Sequence, residues 1–272
     1  MTIRTLVLIA LLVPLAGCYA PEESSENVFR VATTTSMRDS GLMDVLMAEF
    51  QTIHGADIEY VAVGTGAALR LGEAGDVHAL IVHAPEREEA FIEAGFGTNR
   101  TEIAWNSFVV LSPITLPSDI HEAFAEVAEQ EQCFVSRGDS SGTHEKEQAI
   151  WQHLNTTTSL PIVTDADGLH PAGDWYMSIG QGMGATINMA YEKRCVTLSD
   201  RGTALQFQDR IDLHRYEFEN EEVHNPYSLI DVTSQPHPLN TVFRAFLLNE
   251  GQDLIRSYAI NGEAAFFVHE SR

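Results

Sequence analysis

The chain has 272 residues, 44% of them hydrophobic and 20% charged, which excludes a wholly disordered or low-complexity protein. Sixteen Lys and Arg stand against 39 Asp and Glu, a formal charge of −23, and lysine occurs only at Lys146 and Lys193. Such a balance argues against nucleic-acid binding, which needs clustered cations, and only one apolar run, at the N-terminus, approaches membrane length, which excludes a polytopic membrane protein.

In chain order, residues 1–17 read as an export signal: Arg4 supplies the positive end and Leu6 to Leu15 a short apolar stretch. The following Leu15-Ala16-Gly17-Cys18 resembles the bacterial lipoprotein processing box, which implies a lipidated Cys18, anchoring to a bacterial membrane and no spanning segment. Residues 18–27 are a polar tether. With Cys18 committed to lipid, Cys133 and Cys195 remain in an oxidising context, as a disulfide or as two buried thiols.

Beyond the tether, strand and helix patterns alternate. Strands are expected at Phe29 to Thr33, Ile58 to Val63, Val77 to Val82, Phe108 to Leu111, Cys133 to Ser136, Val196 to Leu198, Ile211 to Tyr216 and Ser228 to Val232. Helices are expected over 42–53, where Leu42, Val45, Leu46, Phe50 and Ile53 share a helical spacing, and over 85–94, 120–131, 143–154, 185–193, 239–248 and 252–259. Trp175 to Met177 also reads as helical. This order implies βαβ units, mostly parallel sheets and helices on both faces.

Four strand-to-helix turns carry donors. ThrThrThrSer at 33–36 precedes a helix capped near Asp39 and Ser40, and one cap needs only one such residue. Gly64-Thr65-Gly66 follows an apolar strand and lacks the lysine of a nucleotide loop. SRGDSSGTH at 136–144 places Arg137, a planar fork suited to an oxyanion, beside Ser141, Gly142 and Thr143 at a helix start. Asp139 either orients Arg137 or accepts a proton from the ligand. GQGMGA at 180–185 matches a dinucleotide pattern formally, but no strand pattern precedes it. Helix starts with free backbone N–H groups bind anions. The histidines show no metal-ligand spacing, so neither metal nor cofactor is expected. A Ser141/His144 hydrolase would want a Gly-x-Ser-x-Gly elbow, which is missing. An adhesion or structural lipoprotein would bind no small molecule.

These stretches, together with HisAlaPro at 83–85 and LeuSerAspArgGlyThr at 198–203, resemble in order the periplasmic tungstate-binding proteins of ABC importers, the TupA type, over nearly all of the chain after the signal. The resemblance implies a type II periplasmic-binding fold: two α/β lobes, 28–106 plus 227–272 and 107–226, joined by two crossover strands with the ligand cleft between them. It implies a monomeric, non-enzymatic receptor that hands tungstate to a membrane permease, with molybdate, phosphate or sulfate as alternative ligands. By motif, the contacts are Thr34, Thr35, Ser36, Thr65, Gly66, Arg137, Ser141 and Thr143, with Gly184, Ala185 and Thr186 carried over from the fourth turn.

Overall fold

A computed structural model describes residues 28–166 and 168–269. The signal, Cys18 and the tether lie outside the described residues. In chain order the elements are β1 (Phe29–Thr34), α1 (Thr35–Asp39), α2 (Leu42–His54), β2 (Ile58–Val63), α3 (Thr65–Ala74), β3 (Ala79–Val82), α4 (Pro85–Glu93), β4 (Gly97–Ser112), α5 (Ile120–Glu129), β5 (Phe134–Ser136), α6 (Gly142–Thr157), β6 (Ile162–Asp165), β7 (Gly168–Pro171), β8 (Tyr176–Ser178), α7 (Met183–Lys193), β9 (Thr197–Asp200), α8 (Arg201–Phe207), β10 (His214–Glu217), β11 (His224–Val232), α9 (Leu239–Leu248), α10 (Glu250–Ser257) and a short hairpin, β12 (Ala259–Ile260) with β13 (Glu263–Ala264). None of the helices is long and apolar enough to cross a membrane, among the described residues.

The main sheet runs β10-β4-β11-β3-β1-β2, and β9 also pairs with β4. Only β1–β2 and β1–β3 are parallel; β11 lies antiparallel to β3 and β4, and β10 and β9 lie antiparallel to β4. The sheet is therefore mixed rather than mostly parallel. The cause is β4, a strand of 16 residues that serves both halves of the molecule. Its first part pairs with β11 and its last part, Phe108 to Leu111, with β9. Leading out on β4 and returning on β11, the chain crosses twice between two lobes.

Side-chain alternation gives the first lobe a core on each face of its sheet. Phe29 and Val31 enter a cluster with α2 and α9, whereas Ala32 joins Leu69, Leu80, Val82 and Phe91 on the opposite face. In α2 the buried stripe is Leu42, Met43, Leu46, Met47 and Phe50, while Val45 and Ile53 of the expected stripe are exposed. Phe50 meets Phe243 and Phe246 with ring centroids 5.0 and 5.3 Å apart, and each such buried side chain contributes about 1.5–3 kcal/mol. The second lobe packs Phe124, Phe134 and Trp151 around β5 and α6. A disulfide joins Cys133 to Cys195, Cα atoms 4.6 Å apart, closing a separation of 62 residues.

Three local readings change. Tyr176–Ser178 is a strand parallel to β5, not helix; three residues show no period, and the pairing with Phe134–Ser136 decides. Residues 35–39 form their own short helix, and Gly41 at φ 82°, rather than Asp39 or Ser40, precedes α2. β11 begins at His224, so Pro226 sits inside a strand opposite Trp105.

Candidate functional site

Each of the four donor-rich turns delivers a helix N-terminus. The residues before α1, α3 and α7 are Thr34, Gly64 and Gly182, all extended (ψ 156°, 152° and 164°), and none offers a side-chain cap. First-turn N–H groups have no partner within a helix, so these three ends keep donors and a partial positive charge for something else. α6 differs: Ser141 Oγ accepts from His144 N at 3.3 Å. The Ser141 hydroxyl proton is not used by that bond.

The turns meet between the lobes. Arg137, only 2% exposed, donates from one terminal nitrogen to Thr35 Oγ1 at 3.3 Å and to Asp139 Oδ2 at 2.5 Å. Close approach of backbone brings the other segments in. A Cβ on Gly64 would lie 3.7 Å from the Asp139 carbonyl oxygen, one on Gly182 3.7 Å from Thr35 Oγ1, and one on Gly142 2.7 Å from the His83 carbonyl oxygen. Into this junction the protein buries three polar atoms with no hydrogen-bond partner: Thr65 Oγ1, Thr143 Oγ1 and Arg137 Nε. Leaving a buried donor unsatisfied costs roughly 1–3 kcal/mol, so three at one place mark a site built for an acceptor.

The expected residues divide by what their side chains do. Thr35, Thr65, Arg137, Ser141 and Thr143 bring donors to the junction, and Gly66 packs under the Arg87 guanidinium, where a Cβ would lie 2.8 Å from a terminal nitrogen. Thr34 Oγ1 and Ser36 Oγ bond each other at 2.9 Å. In the fourth turn, Thr186 Oγ1 donates to Gly182 O at 3.1 Å, Gly184 packs beside Phe207 and Ala185 is exposed, so that segment presents its backbone rather than a hydroxyl.

Of the carboxylates near the junction, Asp139 is engaged through both oxygens and Asp200 through one, its Oδ2 being buried without a partner. Asp139 Oδ2 accepts from Arg137 and its Oδ1 from Ser141 N at 3.2 Å, the orienting role. Asp200 Oδ1 caps α8 through Thr203 N at 2.9 Å; burial raises its carboxyl, opposed by that hydrogen bond and by Arg137. His144 makes no Ser–His pair with Ser141: its Nδ1 accepts from Ser140 N and its Nε2 meets Gln148.

Two features of the site were not among the expected contacts. Arg87 of α4 reaches across to the second lobe, donating to Ser140 O at 3.0 Å and pairing with Glu145 at 2.6 Å. His83, at the end of β3, contacts Ser36 and Asn225. Only the HisAlaPro stretch hinted at the second, and nothing local marks Arg87 among the charges of an exposed helix.

Residues 20–250 match the family model of the PBP superfamily domain. The tungstate-binding protein TupA of Peptoclostridium acidaminophilum is 35% identical over 266 residues, covering 90% of this chain and 88% of that protein. The structure of the tungstate ABC transporter from Geobacter sulfurreducens aligns with a TM-score of 0.70 at 36% identity, over 86% of this chain and 99% of that one. TupA from Desulfovibrio alaskensis aligns with a TM-score of 0.70 at 34% identity, over 88% and 98%. The chain therefore belongs to the PBP superfamily and, within it, to the TupA family.

Proposed function

We propose that the protein is an exported receptor that captures tungstate between its lobes and delivers it to an ABC permease, without catalysis. The observation that carries this reading is the trio of buried, unpartnered polar atoms, Thr65 Oγ1, Thr143 Oγ1 and Arg137 Nε, beside three uncapped helix starts. A fully ionised tetrahedral oxyanion offers only acceptors, and the junction supplies donors from several directions together with the permanent charge of Arg137. The ligand set comprises Thr34, Thr35, Ser36, Thr65, Gly66, Arg137, Ser141 and Thr143, with Gly184 and Ala185 contributing through backbone N–H groups, whereas Thr186, carried over with them, directs both its N–H and its hydroxyl to Gly182 O. Hydrogen phosphate carries a proton and wants an acceptor; because both oxygens of Asp139 are occupied, phosphate is the poorer guest.

A chain of charge −23 repels anions at long range, so short-range contacts rather than steering set the affinity. Lobes at 28–106 plus 227–272 and 107–226 agree with β4 and β11 as the crossovers. The receptor acts as a monomer, tethered through a lipid on Cys18. Ligand binding stabilises the fold by linkage, about 2.7 kcal/mol at a hundredfold excess over Kd. Thermal unfolding with and without millimolar tungstate tests this: a raised melting temperature is expected, and an unmoved one contradicts the reading.

A further inference from the structure

Behind the junction runs a buried chain of hydrogen bonds that no ligand contact requires. Thr34 Oγ1 meets Ser36 Oγ at 2.9 Å, Ser36 Oγ meets His83 Nε2 at 3.3 Å, and His83 Nδ1 meets Asn225 Oδ1 at 2.8 Å. Asn225 Nδ2 then donates to Asn106 Oδ1 at 2.7 Å and to the Tyr227 hydroxyl at 3.1 Å. None of these six side chains is more than 3% exposed. Asn106 and Asn225 face each other in register on β4 and β11, the two crossover strands. The chain thus connects the 33–36 turn to the hinge.

Its polarity follows from the Asn225 amide, which turns Nδ2 toward Asn106 and Tyr227 and Oδ1 toward the imidazole. A neutral imidazole carries one N–H and one lone pair, and the nitrogen with the proton is set by what the other groups can do. Asn225 Oδ1 can only accept, so Nδ1 holds the hydrogen and Nε2 presents its lone pair. The Ser36 hydroxyl must then donate to Nε2. Burial pushes the His83 imidazole down to about 4, and the nearby Arg137 charge works in the same direction, so the ring stays neutral across the physiological range. Other charged or titratable groups around it are Asp139, and Glu86, Glu145, Lys146 and His224 along the cavity that His83 lines.

We infer that His83 is a positioning residue: held as the Nδ1–H tautomer by Asn225, it takes the Ser36 hydroxyl proton and fixes the 33–36 turn to both crossover strands. Ser36 then serves the ligand through its peptide N–H, because its hydroxyl proton points inward. The binding part of the inference rests on the oxyanion-receptor reading; the tautomer does not.

Two measurements separate them. Long-range 1H–15N spectra of the imidazole-labelled protein, with His83 assigned by its loss in His83→Gln, should show a neutral Nδ1–H ring from pH 5.5 to 8. An Nε2–H ring, or a midpoint inside that window, overturns the inference whether or not any anion binds. Calorimetry with tungstate on Ser36→Ala, His83→Gln and the double variant should give about a tenfold loss for each single change and a double loss within about threefold of the larger. Independent losses that multiply to about a hundredfold contradict action through Ser36. Asn225→Asp sets a carboxylate against Nδ1 and raises the imidazole pKa. Its tungstate affinity should change with pH between 5.5 and 8 where the wild type is flat; a flat profile in Asn225→Asp also overturns the assignment. A wild type that binds no oxyanion would refute the receptor reading while the spectra still decide the role of His83.

Discussion

Replacing Arg137 by alanine removes the side chain that links the 33–36 turn to the 136–144 turn. The wild-type guanidinium is 2% exposed and bonded to Thr35 Oγ1 and Asp139 Oδ2, and its Nε has no hydrogen-bond partner within the protein. Truncating one partner of a buried, hydrogen-bonded charge pair costs about 2–5 kcal/mol, which is roughly 30- to 5000-fold in Kd. Part of that cost falls on the fold. Asp139 is left with Ser141 N as its remaining bond, and its side chain, 17% exposed, cannot regain full hydration. Arg137→Ala should therefore lower the melting temperature of the free protein as well as its tungstate affinity by calorimetry. Arg137→Lys keeps the charge but loses the fork, and falls between. Asp139→Asn leaves the arginine in place without its orienting charge and should cost less than Arg137→Ala. An Arg137→Ala protein that binds tungstate within about threefold of wild type, under 1 kcal/mol, refutes the placement of Arg137 in the cleft.

Thr65→Val deletes one neutral donor at nearly constant volume and should weaken tungstate by about 0.5–1.5 kcal/mol, measured by the same titration; no loss would remove Thr65 from the ligand set. Burial pushes the Glu147 carboxyl up to about 7, against hydrogen bonds that include one from Tyr176. The folded state then holds a proton that the unfolded state releases near 4.5, so this group's contribution to stability falls as pH rises through that window and is flat above about 7. Glu147→Gln should remove that component, visible as a shallower decline of melting temperature from pH 5 to 7 than in the wild type. Reducing the Cys133–Cys195 disulfide, which closes 62 residues, should cost about 4 kcal/mol by loop entropy; an unchanged urea midpoint with and without reductant would contradict this.

What the sequence disclosed and what it concealed have physical causes. The four turns were legible because each packs its chemistry into a few consecutive residues: a strand end, a glycine or hydroxyl, and a helix start. Arg137 stood out as a lone cation among hydroxyls. The full length of β4 was hidden because its opening residues, from Thr98 to Glu102, are polar and exposed or half-exposed rather than alternating on a packed sheet. β8 was hidden because three residues have no period. Arg87 and the His83–Asn225–Asn106 chain depend on contacts across 53, 142 and 119 residues of sequence, and no local pattern encodes which polar side chains will meet at such distances. Thr186 looked like a donor by motif, but a helical threonine readily bonds the carbonyl four residues back, as it does to Gly182.

The most direct test of a cleft made of donors is calorimetric competition on the wild-type protein, with tungstate, molybdate, sulfate and phosphate titrated at neutral pH. One tungstate per chain is expected, with molybdate and sulfate competing for the same site and hydrogen phosphate trailing, since Asp139 is already bound to Arg137 and Ser141. Phosphate binding more tightly than tungstate would contradict the donor-only account, and no heat with any of the four anions would contradict the receptor itself.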